Sequence, residues 1–142
     1  MGLIGAWILD EFHIRYADGR PDRHPFGPDA AGLLIYTESG HVTAVLSRAD
    51  RPALGASRLE TASRTPAAAR ADAFDSYLSY AGRWRLEGDV VVHVVDWALV
   101  PDLVGQEQRR TVALDGDALV LSYTLAARSG VDRHYRLTWR RA

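Results

Sequence analysis

The chain predicts an all-β fold: eight antiparallel strands closed into an up-and-down barrel, with one helix between strands 3 and 4. Three observations predict it. Apolar residues recur at every second position in successive segments, as in a sheet with one buried face. Short turn signals such as Ser39-Gly40 and Asp115-Gly116-Asp117 separate many of these segments, as hairpin connections require. A single segment, following Thr65-Pro66, carries apolar residues at helical spacing instead.

The first strand spans residues 5–16 and ends at Asp18-Gly19. Residues 20–28 hold Pro21, Pro25, Gly27 and Pro28 and form an irregular loop, because proline withholds a ladder donor and glycine loosens the backbone. Residues 32–37 form a strand, Ser39-Gly40 a tight turn, and residues 41–47 the hairpin partner. Residues 48–64 are polar and without period, which predicts a mobile loop. Thr65 is then placed as an N-cap and Pro66 at the first helical position, with Ala67, Ala71, Phe74, Leu78 and Ala81 on one face of an amphipathic helix that Gly82 stops. The remaining strands are residues 82–86, 90–99, 106–114, 118–125 and 133–141, with turns at Glu87-Gly88-Asp89, Asp115-Gly116-Asp117 and Ser129-Gly130 and a loop over residues 101–105. A β-sandwich is the alternative, but its Greek-key crossovers need longer connections than the second half of the chain offers. Closure into a barrel removes exposed edges, and eight strands leave room inside for one small ligand.

At 142 residues the chain is long enough for one domain, residues 1–142, with a single core. A net charge of −1 excludes the basic field that a nucleic acid or an anionic membrane surface calls for. The absence of cysteine removes disulfides, thiolate nucleophiles and zinc–thiolate sites. All 17 basic residues are arginine, so no lysine can form a Schiff base or complete a phosphate-binding loop. No Gly-x-Ser-x-Gly elbow occurs. The histidines His13, His24, His41, His93 and His134 lie in separate segments, without a His-x-His or His-Glu-x-x-His spacing, so no metal site and no cofactor is expected. The N-terminus lacks a basic n-region, and Asp10 and Glu11 interrupt its apolar run early. No segment approaches the ~18 apolar residues of a membrane span. The expected compartment is the cytoplasm.

Residues 90–99 carry the clearest chemical signal. One face holds Val91, His93, Val95, Trp97 and Leu99, an apolar surface interrupted by one imidazole. The same parity sets Trp7, Leu9, Glu11 and His13 on one face, Tyr80, Gly82, Trp84 and Leu86 on another, and Gln108, Arg110, Val112 and Leu114 on a third. Leu119, Leu121 and Tyr123 share a face, as do Leu137 and Trp139. If the apolar faces point inward, Glu11, Tyr36, Tyr80, His93, Gln108, Arg110 and Tyr123 are polar groups inside the barrel or at its mouth. An unpaired arginine there would cost several kcal/mol, so Arg110 needs a partner. Glu11 is the candidate inside; a bound carboxylate, enolate or ketone oxygen is the other, since the planar guanidinium gives two parallel bonds to such groups. His93 reads either as a satisfied core histidine or as the centre of a pocket, Arg110 as a strut or an oxyanion binder, and Trp84 and Trp97 as core or pocket walls.

Gly5-Ala6-Trp7 on the first strand resembles the Gly-x-Trp that opens lipocalin barrels. Arg141, after Trp139-Arg140, stands where an arginine packs over that tryptophan and closes the barrel. The chain also resembles the bacterial single-domain lipocalin-like family in His24-Pro25-Phe26-Gly27-Pro28, in residues 32–37 (Gly-Leu-Leu-Ile-Tyr-Thr), Arg51-Pro52, residues 74–82 (Phe-Asp-Ser-Tyr-Leu-Ser-Tyr-Ala-Gly), His93 and residues 104–110 (Val-Gly-Gln-Glu-Gln-Arg-Arg). The resemblance implies a lipocalin-like, calycin-type barrel. Related barrels bind hydrophobic small molecules, and some act as cofactor-free cyclases in natural-product pathways, Diels–Alder catalysts among them. Trp97 and Leu103 depart from the family's pattern and imply a pocket of its own shape.

Three functions follow as expectations. One is a cofactor-free cyclase or isomerase in which the barrel folds a flexible substrate, His93 or Glu11 moves a proton, and Arg110, Gln108 or a tyrosine hydroxyl stabilises charge on oxygen. In that setting Tyr36, Tyr80, Trp84, Val95, Trp97, Gln108 and Tyr123 line the ligand site. Another is a non-catalytic carrier or sequestering protein for an apolar small molecule, which needs the same cup and no chemistry. A barrel packed solid, serving only protein–protein contact, is a third. The expected partner is a hydrophobic small molecule, with a homodimer admitted.

Overall fold

The computed structural model describes residues 2–128 and 130–142. Its strands are β1 (Gly5–Tyr16), β2 (Ala31–Tyr36), β3 (His41–Ser47), β4 (Tyr77–Glu87), β5 (Val90–Ala98), β6 (Glu107–Asp115), β7 (Ala118–Leu125) and β8 (Arg133–Arg141). Each pairs antiparallel with the next, and β8 returns to β1 from Trp7 opposite Arg141 to Tyr16 opposite Arg133, which closes the barrel in chain order. Ser129, expected in the turn before β8, lies outside the described residues.

The barrel has two unlike ends. The hairpin end carries the β2–β3, β4–β5 and β6–β7 turns, where Gly40, Gly88 and Gly116 hold φ of +87°, +63° and +59° that L side chains avoid. The loop end carries the longer connections after β1, β3, β5 and β7. Between β3 and β4 lies the helix α2 (Ala67–Asp75), preceded by a single turn, α1 (Leu59–Ala62), inside the stretch expected to be a mobile loop. Here the local expectation fails in detail. Pro66 is the N-cap residue, the Thr65 hydroxyl donates back to the Ala62 carbonyl at 2.6 Å, and α2 buries no side chain. Leu78 and Ala81 belong to β4, which starts at Tyr77. The alternation Leu78, Tyr80, Gly82, Trp84, Leu86 has period 2, and sheet pairing with β3 outweighs the i+4 spacing from Phe74.

Two bulges decide which side chains enter the barrel. In β1 the register shifts between Leu9 and Glu11, so Asp10 is the extra residue; it points outward and pairs with Arg140. Beyond it Phe12, not Glu11, faces the core. In β5, Gly82 pairs with Val95 and Ala81 with Trp97, so Asp96 is the extra residue. A Cβ on Gly82 would sit 1.9 Å from the Val94 carbonyl oxygen, and only glycine allows this close approach.

The core at the hairpin end is packed without relief. Leu3, Trp7, Tyr36, Val42, Val91 and Leu119 are all essentially sealed from solvent. Trp7 donates its indole N–H to the Leu3 carbonyl at 2.9 Å, and the Arg141 guanidinium lies 4.2 Å over its ring. This is the closing arrangement that the resemblance to lipocalin barrels implies.

Candidate functional site

The loop-end half of the interior is hollow. A cavity there is lined by Phe12 of β1, Leu34 of β2, Ala44 and Leu46 of β3, Leu78 and Tyr80 of β4, His93 of β5, Arg110 of β6, Leu121 and Tyr123 of β7, and Leu137 and Trp139 of β8. Every strand contributes, because period-2 alternation sends one side chain in two to the barrel axis. The space open to the centre of a water molecule is about 70 Å³, and the whole recess, solvent in its mouth included, is about 500 Å³. Water itself needs only ~15 Å³ of the first kind of space. Aromatic rings gather on this side: Phe26 from the first long loop sets its edge against Phe12 at 6.1 Å, and Tyr123 stacks on Tyr135 at 4.6 Å.

His93 is 1% exposed and held at both ring nitrogens. The Tyr36 hydroxyl lies 2.7 Å from Nε2 and the Tyr80 hydroxyl 2.6 Å from Nδ1. Burial pushes the imidazole down from 6.5 to about 3, and the positive charge of Arg110 adds to the shift. Burial also drives Tyr36 well above 10 and Tyr80 up to about 12, although Arg110 pulls both the other way. All three groups are therefore neutral near pH 7, joined by two short hydrogen bonds. Trp84 backs the row, its ring edge against Tyr36 at 5.0 Å and its N–H donating to the Thr37 carbonyl at 3.0 Å.

Arg110 faces Val91 across the β5–β6 ladder, one inward position from His93. Its guanidinium lies 3.8 Å over the Tyr123 ring and donates to Gln108 Oε1 at 3.1 Å and to the Arg109 carbonyl at 2.9 Å. Among the described residues no carboxylate comes within 4.0 Å of it.

The bulges correct two of the expected site residues. Glu11 is on the outer face, where its Oε1 accepts from His24 Nε2 at 3.0 Å and lies 3.4 Å from His13 Nδ1; it cannot partner Arg110. His13 shares that outer face. Trp97 is 68% exposed, because Asp96 is accommodated as an extra residue and turns it outward while Ala98 packs on the core. The other candidates separate by depth. Tyr80, His93, Arg110 and Tyr123 line the cavity, Gln108 steadies Arg110, Tyr36 and Trp84 stand behind His93, and Val95 is buried core beside the site. Unforeseen contributors are Phe12, Leu34, Ala44, Leu46 and Leu78. Phe12 had a signal in the sequence: Leu9-Asp10-Glu11-Phe12 spaces its apolar residues by three, which an unbroken strand does not do.

No group of three or more potential metal ligands is gathered among the described residues, and no described helix is long and apolar enough to cross a membrane. A family model described as a lipocalin-like domain matches residues 4–142. No curated protein and no solved structure matches the chain.

Proposed function

The chain belongs to the lipocalin-like domain family, and on that premise we propose that it binds a small, largely apolar molecule in the loop-end cavity. The observation that carries this is the unevenness of the interior. One half of the barrel is filled, while the other keeps a recess walled by leucine, phenylalanine and tryptophan in which Tyr80, His93 and Arg110 converge. Apolar walls with a few placed polar groups are what a small-molecule site needs. The test is direct binding, by calorimetry and tryptophan emission, of a panel of small apolar compounds, repeated with Ala44→Phe. The added ring occupies the cavity at a stability cost of about 1–3 kcal/mol. Binding that disappears in the variant supports the proposal; a folded wild-type protein that takes up no compound, or a filled variant that binds as well, defeats it.

Cofactor-free cyclisation or isomerisation of the bound molecule is a second reading. One observation favours it: the Arg110 and Tyr80 side chains line the same cavity, where they can stabilise charge developing on a ligand oxygen. The chemistry would then run through orientation and charge stabilisation. Burial and the charge of Arg110 hold His93 down at about 3, which weakens it as a proton acceptor, and both its ring nitrogens are already engaged by tyrosine hydroxyls. Product formed from a bound compound, with kcat falling more than KM changes in Tyr80→Phe, separates this from simple carriage.

A further inference from the structure

We propose that the cavity is a carboxylate site, in which the Arg110 guanidinium and the Tyr80 hydroxyl together receive the acid group of an apolar monocarboxylate. This rests on the binding function proposed above and specifies its ligand.

A proton count along Tyr36–His93–Tyr80 comes first. A neutral imidazole has one N–H and one bare nitrogen. With a hydroxyl at each nitrogen, one tyrosine must donate to the bare nitrogen and the other must accept from the N–H. The accepting tyrosine keeps its own proton for a further partner. Among the described residues Tyr36 has no other hydrogen-bond partner, and it does not line the cavity, so a spare proton there would be a buried donor without an acceptor, a state that folded proteins avoid. Tyr80 lines the cavity. The count therefore places the ring proton on Nδ1, makes Tyr36 the donor to Nε2, and turns the Tyr80 O–H toward the empty space.

The other polar groups of the wall include two that can only donate, Arg110 and Trp139, beside the Tyr123 hydroxyl, which can do either. Arg110 has five N–H groups and two recorded acceptors, both neutral. Trp139 keeps its indole N–H out of solvent with no acceptor among the described residues. The contrast with Arg141 is instructive. That arginine also covers an aromatic ring, but its donors reach the Gly2 and Ile4 carbonyls and the Asp117 carboxylate. Arg110 has the same stacking and, among the described residues, no carboxylate, in a cavity where the Trp139 N–H also lacks an acceptor. A planar carboxylate supplies two acceptor oxygens and the missing negative charge at once. An amine would set a second positive charge beside Arg110; an alcohol could accept from two donors but would leave the arginine's charge unpaired.

The test uses three ligands of one chain length: octanoate, octan-1-ol and octylamine, titrated calorimetrically into the full chain at pH 7.5. Octanoate is expected to bind at least tenfold more tightly than octanol, with octylamine weakest. In Arg110→Gln the octanoate-to-octanol ratio is expected to fall close to one, and in Tyr80→Phe to fall several-fold. Long-range ¹H–¹⁵N spectra of the unliganded protein give an independent reading, expected to show His93 protonated on Nδ1. Equal binding of octanoate and octanol, or preference for the amine, overturns the carboxylate assignment and leaves the binding function standing. A wild-type protein that binds none of the three overturns both. An Nε2–H ring overturns the proton count.

Discussion

The hairpin end and the loop end of this barrel are made by the same eight strands, yet the inward side chains leave nothing between them at one end and a cavity at the other. The difference is clearest in two stacked arginines. Arg141 closes the hairpin end over Trp7, with its donors bonded to carbonyls and a carboxylate of the chain itself. Arg110 stands at the loop end over Tyr123, bonded among the described residues to a glutamine side chain and one carbonyl. Tight turns need few atoms and bring the strands' ends together, so the hairpin end can be filled by Leu3, Trp7 and Tyr36 and does structural work. Long connections frame an opening, and the groups there answer to something other than packing. Stability and binding are thereby assigned to opposite halves of one small interior.

The sharpest way to break this division is a matched pair on β7. Leu119 is 0% exposed at the hairpin end, while Leu121, two residues on and 3% exposed, lines the cavity. Leu119→Ala is expected to cost about 4 kcal/mol, near the upper end for a leucine truncated in a packed core, because nothing nearby can collapse into the gap. Leu121→Ala is expected to cost about 2.5 kcal/mol, since a side chain beside existing space has fewer contacts to lose. Urea denaturation reads both. Equal costs would mean that the loop half is as tightly packed as the other. Leu121→Ala should also admit bulkier ligands, and Leu119→Ala should not.

His93 lies where the halves meet, with packed Tyr36 on one nitrogen and cavity-lining Tyr80 on the other. Its pH dependence reports how dry that boundary is. In the folded state the ring titrates at about 3 against 6.5 ordinarily, so an unfolded chain takes up a proton in the interval that the folded chain refuses. The contribution of neutral His93 is fully present above 6.5 and is lost as pH falls toward 3. Between pH 7.5 and 5, above the usual carboxylate range, the loss amounts to about 2 kcal/mol at ~1.4 kcal/mol per unit. Subtracting the urea-derived stability curve of His93→Gln isolates it from the other four histidines. A difference curve that is flat over this interval would show water reaching the ring and the boundary to be wet.

The barrel was legible because its signals are local and repeated. β1, β3, β7 and β8 begin and end where alternation and the flanking turn residues place them. The closing pair Trp7 and Arg141 was legible through the resemblance of two short motifs to those of lipocalin barrels. The segment before β4 was not, because Phe74, Leu78 and Ala81 satisfy helical spacing while Leu78 and Tyr80 also satisfy strand spacing, and only pairing with β3 decides. The polar row was half legible. Parity placed Tyr80, His93, Arg110 and Tyr123 on inward faces, but it carried Glu11 and Trp97 inward as well. A bulge inserts one residue and reverses every side chain after it, and the approach of Gly82 to Val94 that accompanies the one in β5 is a contact between strands that one strand's pattern does not contain.

The smallest expected effect therefore tests the second bulge. If Asp96 is the extra residue, Trp97 belongs to neither half of the interior: it stands 68% exposed opposite Ala81 on the outer face. Trp97→Ser is then expected to change stability by no more than ~0.5 kcal/mol and to leave octanoate binding as it was, while removing a solvent-exposed component from the tryptophan emission. Without the bulge, Trp97 would continue the face of His93 and Val95 into the barrel. The same substitution would then cost several kcal/mol, in the range of a truncated core aromatic, and would change affinity with it. A chemical melt of the variant together with a single titration tells these apart, and a large loss in both would return Trp97 to the cavity wall and with it the unbroken alternation of β5.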